Sequence, residues 1–128
     1  MNKRFLNEIT CGDSEQLIQD LDDDSIDLVV TSPPYNVDLG YNAKHKNPYD
    51  LYQDNKSHHE YIDWLHSIFG KIKSKLVTGG RVCLNIGDGK NGAVPTHSDI
   101  IQFMTRELGF IMMSTIIWNK NTTGNRTA

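Results

Sequence analysis

An apolar strand, a long amphipathic helix and a second apolar strand follow one another in this chain, and few folds accommodate that order. Residues 26–31 are almost continuously apolar, which is typical of a strand covered on both faces of a sheet. A helix is predicted over residues 57–76 and a further strand over residues 81–86. Strands that alternate with helices favour an α/β fold whose sheet is mainly parallel.

The central helix carries the clearest local signals. Ser57 and Glu60 have the spacing of a capping box, so the helix is predicted to begin at Ser57. Gly79-Gly80 is predicted to end it. Its apolar residues form one stripe that is predicted to face the core: Tyr61, Trp64, Leu65, Ile68, Phe69, Ile72 and Leu76.

Two more strands and two more helices are predicted at the ends of the chain. Strands are expected over residues 5–11 and 110–118. A short helix over residues 14–21 is predicted to be capped by Asp13, with Gln16 completing a capping box. A helix over residues 97–108 is predicted to end at Gly109.

Length and composition fit one domain of 128 residues, of which 38% are hydrophobic. No apolar run approaches the roughly 18 residues of a membrane helix, and no signal-peptide core follows the amino terminus, so a cytoplasmic protein without membrane contact is expected. Cys11 and Cys83 lack a paired-cysteine motif and are expected to be reduced thiols that behave as small apolar side chains.

Directly behind the strand of residues 26–31 lies the segment Ser32-Pro33-Pro34-Tyr35, preceded by Thr31. The two prolines fix two φ angles and keep Ser32 extended, and they lack N–H groups. The segment therefore offers acceptors, namely the Ser32 and Pro33 carbonyl oxygens beside the Ser32 hydroxyl. Two acceptors suit an amine, and Tyr35 offers a flat face on which a ring can stack. The plainer alternative is that Pro-Pro merely ends a buried strand.

The Thr-Ser-Pro-Pro-Tyr string resembles the fourth motif of the DNA amino-methyltransferases, which methylate cytosine N4 or adenine N6 with S-adenosylmethionine. In that family this spelling is the one most associated with cytosine N4. The resemblance implies a partial Rossmann-like, AdoMet-dependent methyltransferase fold. It also implies double-stranded DNA with a flipped target base as partner, and catalytic roles for Ser32, Pro33, Pro34 and Tyr35.

Other stretches are similar to the same family, so the resemblance covers nearly the whole chain. They are residues 79–86, 95–98, 108–110 and 116–120. Asp13 matches the family's third motif, where an acidic residue lies near the cofactor. The resemblance thus implies Asp13 and Ser32 as cofactor-binding residues.

Two parts of the family pattern are not found in the sequence. In the permuted group whose chains start with the third motif, the Phe-x-Gly-x-Gly motif that binds AdoMet follows the target-recognition segment, and neither is found in residues 1–128. Four predicted strands are also fewer than the seven in the family. The chain is therefore expected to be the amino-terminal portion of the catalytic domain, inactive alone, with a second chain or a carboxy-terminal half supplying the rest.

Residues 36–56 show no helix or strand period and are expected to form a long flexible loop. Its aromatic and basic residues suit a flap on nucleic acid, and Asn36, Lys44 and Lys46 are the candidate DNA contacts; disorder without ligand is the alternative. The formal net charge of −3 opposes strong DNA binding by this chain alone.

Two further patterns indicate other chemistry and are set aside. Residues 87–92 match the G-x-G-x-x-G dinucleotide fingerprint, but four residues separate the last glycine from the predicted helix and no acidic residue ends the next strand. His58, His59 and His66 invite a metal interpretation, but no cysteine or carboxylate is placed to complete a site, and no metal is expected.

Three alternatives to a cytosine-N4 enzyme stay open. The enzyme could methylate adenine N6 in DNA. Its substrate could instead be an RNA base or a glutamine amide of a protein. The chain could also be a non-catalytic subunit that binds or assembles without activity of its own.

Overall fold

The computed structural model describes residues 5–36, 54–89 and 92–119. Helix α1 is Ser14–Leu17 and continues as a 3-10 turn, Ile18–Asp20. Strand β1 is Ile26–Thr31, helix α2 is His58–Lys75 and strand β2 is Leu76–Leu84. Helix α3 is Thr96–Gln102 and passes into a π-helical turn, Phe103–Glu107.

Strands β1 and β2 pair in parallel, with α2 as the connection between them. Thr31 lies opposite Leu84 at the end of the ladder, so both strands finish at the same edge of the sheet. This confirms the predicted α/β fold with a parallel sheet and flanking helices.

The glycine pair has a different place from the one predicted. Helix α2 ends at Lys75, and Gly79-Gly80 lies inside β2, where the register shifts: β2 advances from Leu76 to Arg81 while β1 advances only from Ile26 to Leu28. Gly79 has a φ of +82°, and a Cβ on Gly80 would lie 2.9 Å from the Val77 carbonyl oxygen. The prediction that these glycines end the helix is wrong, because they form a bulge in the strand.

The core is built on the stripe of α2, as the sequence predicts. Tyr61, Leu65, Ile68, Phe69 and Ile72 are buried, and they pack with Leu76, Ile100, Phe103 and Met104. Trp64, the remaining member of the predicted stripe, is only partly buried. The core thus lies between α2 and the α3 region and against one face of the sheet.

Side chains at the helix starts account for where α1 and α2 begin. The Ser57 hydroxyl accepts from the Glu60 N–H while the Glu60 carboxylate accepts from the Ser57 N–H, which confirms the predicted capping box. Asp13 caps α1 by accepting from the Glu15 N–H. Glu15 in turn lies 2.6 Å from Lys71 Nζ, and this contact lowers the pKa of Glu15 and ties α1 to α2.

The two predicted terminal strands are not formed in the described residues. Residues 5–11 contain turns and no strand, and residues 110–118 have no paired neighbour. A strand needs a partner for its N–H and C=O groups, and β1 and β2 are the strands that pair among residues 5–36, 54–89 and 92–119. Consequently the apolar side chains of the last segment are exposed: Ile111, Met112, Met113, Ile116, Ile117 and Trp118.

Helix α3 begins one residue before the predicted position, and the chain leaves the following π-helical turn at Gly109, with a φ of +70°. Cys11 and Cys83 are free and exposed, and only Cys83 lies in a strand. No helix within the described ranges is long and apolar enough to cross a membrane.

Candidate active site at the carboxyl edge of the sheet

The proline segment leaves β1 at the edge where both strands end. The Asn85 N–H donates to the Thr31 carbonyl at 2.9 Å, which extends the parallel ladder one residue beyond β2. Ser32 and Asn85 therefore lie side by side where the chain leaves the two strands. In open α/β sheets, ligands bind at the carboxyl ends of the strands, so the local fold places Ser32-Pro33-Pro34-Tyr35 in such a position.

Three side chains meet at this edge. The Tyr35 hydroxyl lies 2.8 Å from Ser32 Oγ and 2.8 Å from Asn85 Nδ2, and Asn85 Nδ2 lies 3.4 Å from Ser32 Oγ. One edge of the Tyr35 ring runs beside Gly87, where an added Cβ would stand 3.6 Å from Tyr35 Cδ2. Ser32 is exposed and Tyr35 is partly buried, so the group is fixed yet open to a ligand.

The carbonyl groups of the segment have different surroundings. The Tyr61 hydroxyl, on a side chain that is 1% exposed, donates to the Pro34 carbonyl at 2.6 Å. This bond anchors the proline pair to the core of α2. Within the described part of the chain, no protein donor hydrogen-bonds to the carbonyl oxygen of Ser32 or of Pro33. Those two oxygens are the acceptors that the sequence analysis assigned to an amine.

Asn36 directly follows Tyr35 and is the first residue of the predicted loop. Its φ is +57°, and its N–H donates to the buried Asp54 carboxylate at 2.9 Å. Its side-chain amide donates to the Lys56 carbonyl at 2.7 Å and accepts from the Lys56 N–H at 2.8 Å. The amide thus joins the two ends of the predicted loop, and its predicted role at DNA stays a prediction. Lys44 and Lys46 lie outside the described residues.

Asp13 lies in a different part of the molecule. Its carboxylate caps α1, and among the described residues no hydrogen bond connects it to the Ser32, Tyr35 and Asn85 group. The strand predicted before it is absent, so the structure supplies no strand end to carry it. Its cofactor role, like that of Ser32, remains a prediction from the resemblance.

The loop after β2 contains a carboxylate and imidazole pair that the sequence analysis did not single out. Asp88 accepts from the His97 N–H at 3.1 Å and lies 2.7 Å from His97 Nδ1, and these hydrogen bonds lower the pKa of Asp88. Gly89 and Val94 form an isolated bridge, and α3 starts only at Thr96. The last glycine of the fingerprint, Gly92, therefore does not open α3.

The histidines of α2 each face a different carboxylate. His58 pairs with Asp99 at 2.6 Å, His59 with Asp63 at 3.5 Å and His66 with Glu107 at 3.3 Å. Over the ranges 5–36, 54–89 and 92–119, no three His, Cys, Asp or Glu side chains group in a way that could hold a metal ion.

Asn85 is the member of the site that the sequence analysis missed. It is the polar residue that directly follows β2, between Leu84 and Ile86, at the same edge as Ser32. A polar residue at a strand end opposite a second strand end is a usable signal, but only once the two strands are known to be neighbours.

The chain is similar to DNA methylases of known sequence and of known structure. A DNA methylase family profile, N6_N4_Mtase, matches residues 26–128. The Type II methyltransferase M.MjaVI of Methanocaldococcus jannaschii is 39% identical over 125 residues, which is 96% of this chain and 60% of that protein. The Type II methyltransferase M.PvuII of Proteus hauseri is 31% identical over 111 residues, or 84% of this chain and 30% of that protein.

The solved structure of the PvuII DNA methyltransferase, cytosine-N4-specific, superposes with a TM-score of 0.57 at 30% identity. The superposition covers 77% of this chain and 33% of that structure. The chain therefore spans 60% or less of the length of these relatives. The match of the family profile over most of the sequence confirms the resemblance inferred from residues 31–35, and the chain belongs to the N6_N4_Mtase family of DNA methylases.

Proposed function

We propose that this chain forms the amine-binding half of the catalytic centre of a site-specific DNA methyltransferase. A base flipped out of double-stranded DNA stacks on Tyr35, and its exocyclic NH2 donates to the Pro33 carbonyl and to Ser32. These acceptors pull the amine hydrogens out of the ring plane, so the nitrogen lone pair is less delocalised into the ring. The observation that carries this proposal is that, among the described residues, no protein donor bonds to the Ser32 and Pro33 carbonyl oxygens, while the bond from Tyr61 holds the neighbouring Pro34 in place.

The methyl donor is S-adenosylmethionine, as the family implies, and its sulfonium methyl is already activated for transfer. The site for it is proposed to be incomplete in this chain: α3 starts only at Thr96, after the fingerprint, and among the described residues no hydrogen bond links Asp13 to Ser32, Tyr35 or Asn85. This chain's own residues bind the base and orient the amine, and the methylated nitrogen then releases its extra proton to solvent water at the exposed site. Positioning of this kind provides most of the acceleration in such a reaction.

Cytosine N4 is the favoured target. The Thr-Ser-Pro-Pro-Tyr spelling supports it, and so does the likeness to a cytosine-N4-specific enzyme of known structure. Adenine N6 is the alternative, since both amines donate hydrogens in the same way to two acceptors.

The remainder of the catalytic domain is proposed to lie in a carboxy-terminal half or in a second chain. Ile111, Ile116, Ile117 and Trp118 are between 70% and 89% exposed, which is an unusually apolar stretch for a surface that meets only water. A further strand beside this segment would pair with its backbone, and elements packed on the faces of the extended sheet would cover those side chains. The same exposure supports the second candidate, an assembly subunit that has no activity of its own.

Nucleoside mass spectrometry of treated DNA tests the proposed activity. The complete enzyme, meaning the full-length gene product with any subunit that co-purifies with it, is incubated with plasmid DNA and S-adenosylmethionine. We expect N4-methylcytosine to accumulate, and none to form when S-adenosylmethionine is omitted. N6-methyladenine would select the alternative base, and the absence of both would overturn the proposal.

Calorimetric titration of S-adenosylmethionine tests whether the donor site is incomplete. The 128-residue chain is expected to give no saturable heat, whereas the complete enzyme should bind the donor with defined stoichiometry. The physical reason is that a donor held by half of its contacts does not repay the cost of immobilising it. Tight stoichiometric binding to the 128-residue chain would contradict a divided site.

A further inference from the structure

The backbone of Asn85 places this residue at the site independently of its side chain. Its N–H bonds to the Thr31 carbonyl at 2.9 Å, in continuation of the ladder that pairs Thr31 with Leu84. The position of Asn85 is thus determined by the register of the sheet, and its side chain starts beside the residue that follows Thr31, which is Ser32. An exposed asparagine needs no side-chain bond to keep the strand in place.

The side chain nevertheless points into the amine site. Asn85 Nδ2 donates to the Tyr35 hydroxyl at 2.8 Å and reaches Ser32 Oγ at 3.4 Å. Because the two hydroxyl oxygens are themselves 2.8 Å apart, both lie on the same side of Nδ2 and share one amide hydrogen, with the shorter bond to Tyr35. Ser32 and Tyr35 are also 2.8 Å apart, so the three groups close a ring of hydrogen bonds.

We propose that Asn85 is a positioning residue for methyl transfer, which holds the hydroxyl groups of Tyr35 and Ser32 in the arrangement that receives the base. This proposal rests on the proposed function and names a residue outside the proline segment. Asn85 donates mainly to the Tyr35 hydroxyl and more weakly to the Ser32 hydroxyl, so a lone pair remains available for the incoming amine.

The benefit is that the stacking face is fixed before the base arrives. A free tyrosine side chain turns about two torsions, and a serine hydroxyl rotates freely, so binding a base would have to order both. In this site the Tyr35 hydroxyl is held by two partners, and the ring edge lies against Gly87. Removing Asn85 leaves the Tyr35 hydroxyl with Ser32 alone, and the ring gains freedom about its hydroxyl end.

The test replaces Asn85 by leucine, which has almost the same size and shape but no hydrogen-bonding groups. In the complete enzyme, the single-turnover rate of methyl transfer at saturating DNA should fall about tenfold, the factor expected for one lost hydrogen bond. The dissociation constant for duplex DNA should stay within about twofold, because phosphate contacts dominate it. The matched control is Gln102→Leu, which removes an exposed amide at the end of α3 and should change neither quantity.

A double-mutant cycle with Tyr35→Phe separates positioning from a general structural effect. If Asn85 acts through the Tyr35 hydroxyl, Asn85→Leu should cost less than about threefold in the Tyr35→Phe background, because the coupling is already lost. A full tenfold loss in that background would overturn the proposal, since independent effects multiply.

The outcomes distinguish the two levels of inference. If the unsubstituted enzyme methylates DNA while Asn85→Leu retains its rate within about twofold, the positioning role is wrong and the proposed function stands. If the unsubstituted enzyme methylates no DNA, the proposed function itself fails. Thermal unfolding checks that the Asn85→Leu variant is folded. If it is not folded, Asn85→Ser takes its place, because the serine side chain is too short to reach both hydroxyls and should show the same loss of rate.

Discussion

Replacing Tyr35 by alanine should lower kcat/KM of the complete enzyme for DNA by roughly one to two orders of magnitude, because base stacking on an aromatic ring contributes about 1–3 kcal/mol per base. The substitution removes the flat face and also the hydroxyl that Ser32 and Asn85 hold. Steady-state methylation of a duplex substrate, measured with radiolabelled S-adenosylmethionine, gives the ratio directly.

The matched control for that variant is Tyr35→Phe. Phenylalanine keeps the ring and its contact beside Gly87 but loses the hydroxyl, so it should cost only the part that the hydrogen bonds contribute, about tenfold or less. The order wild type, Tyr35→Phe, Tyr35→Ala therefore separates positioning from stacking. A Tyr35→Ala enzyme with unchanged kcat/KM for DNA would rule out Tyr35 as the stacking face.

The part of the site that could be predicted from sequence is the part that depends on neighbours along the chain. Pro33 and Pro34 restrict their own φ angles and the conformation of Ser32, so the open acceptor segment is encoded locally. Asn85 is 53 residues from Ser32, and their contact depends on how β1 and β2 are aligned. That alignment includes the bulge at Gly79-Gly80, whose glycines have the same local signal as a helix end.

The same distinction explains the elements. Helix α2 was predicted to within a residue at its start because a capping box and an apolar stripe both lie within the helix itself. The strands expected over residues 5–11 and 110–118 have suitable apolar residues, but a strand is stable only against a partner, and the described chain offers them none. The apolar composition of a segment predicts that its side chains will be buried, but it does not identify the element that buries them.

The side chain of Asn36 was predicted to contact DNA, but in the structure it is hydrogen-bonded to a residue far along the chain. Its amide bonds to both backbone groups of Lys56, 20 residues away, and its N–H bonds to Asp54. The described ends of the predicted loop are therefore joined. Those described ends lie directly behind Tyr35 and just before the start of α2 at His58.

Replacing Phe69 by alanine should destabilise the chain by about 3–5 kcal/mol, the usual range for a buried aromatic residue that leaves a cavity. Phe69 is 1% exposed, lies in the middle of α2 and faces Phe103 with ring centroids 6.5 Å apart. A domain of this size has a total stability of about 5–15 kcal/mol, so the variant should be close to unfolded at physiological temperature. Urea denaturation followed by circular dichroism measures the change in the free energy of unfolding.

Ile117→Ala is the control, because it also removes an apolar side chain but at a position that is 87% exposed. In the 128-residue chain it should change the free energy of unfolding by less than about 0.5 kcal/mol, as surface substitutions usually do. A loss below about 1 kcal/mol for Phe69→Ala would contradict the core described around α2. In the complete enzyme the same substitution tests whether residues 110–118 are covered. If they are, Ile117→Ala should be destabilising in the complete enzyme and neutral in the shorter chain, because only a buried side chain loses contacts on truncation.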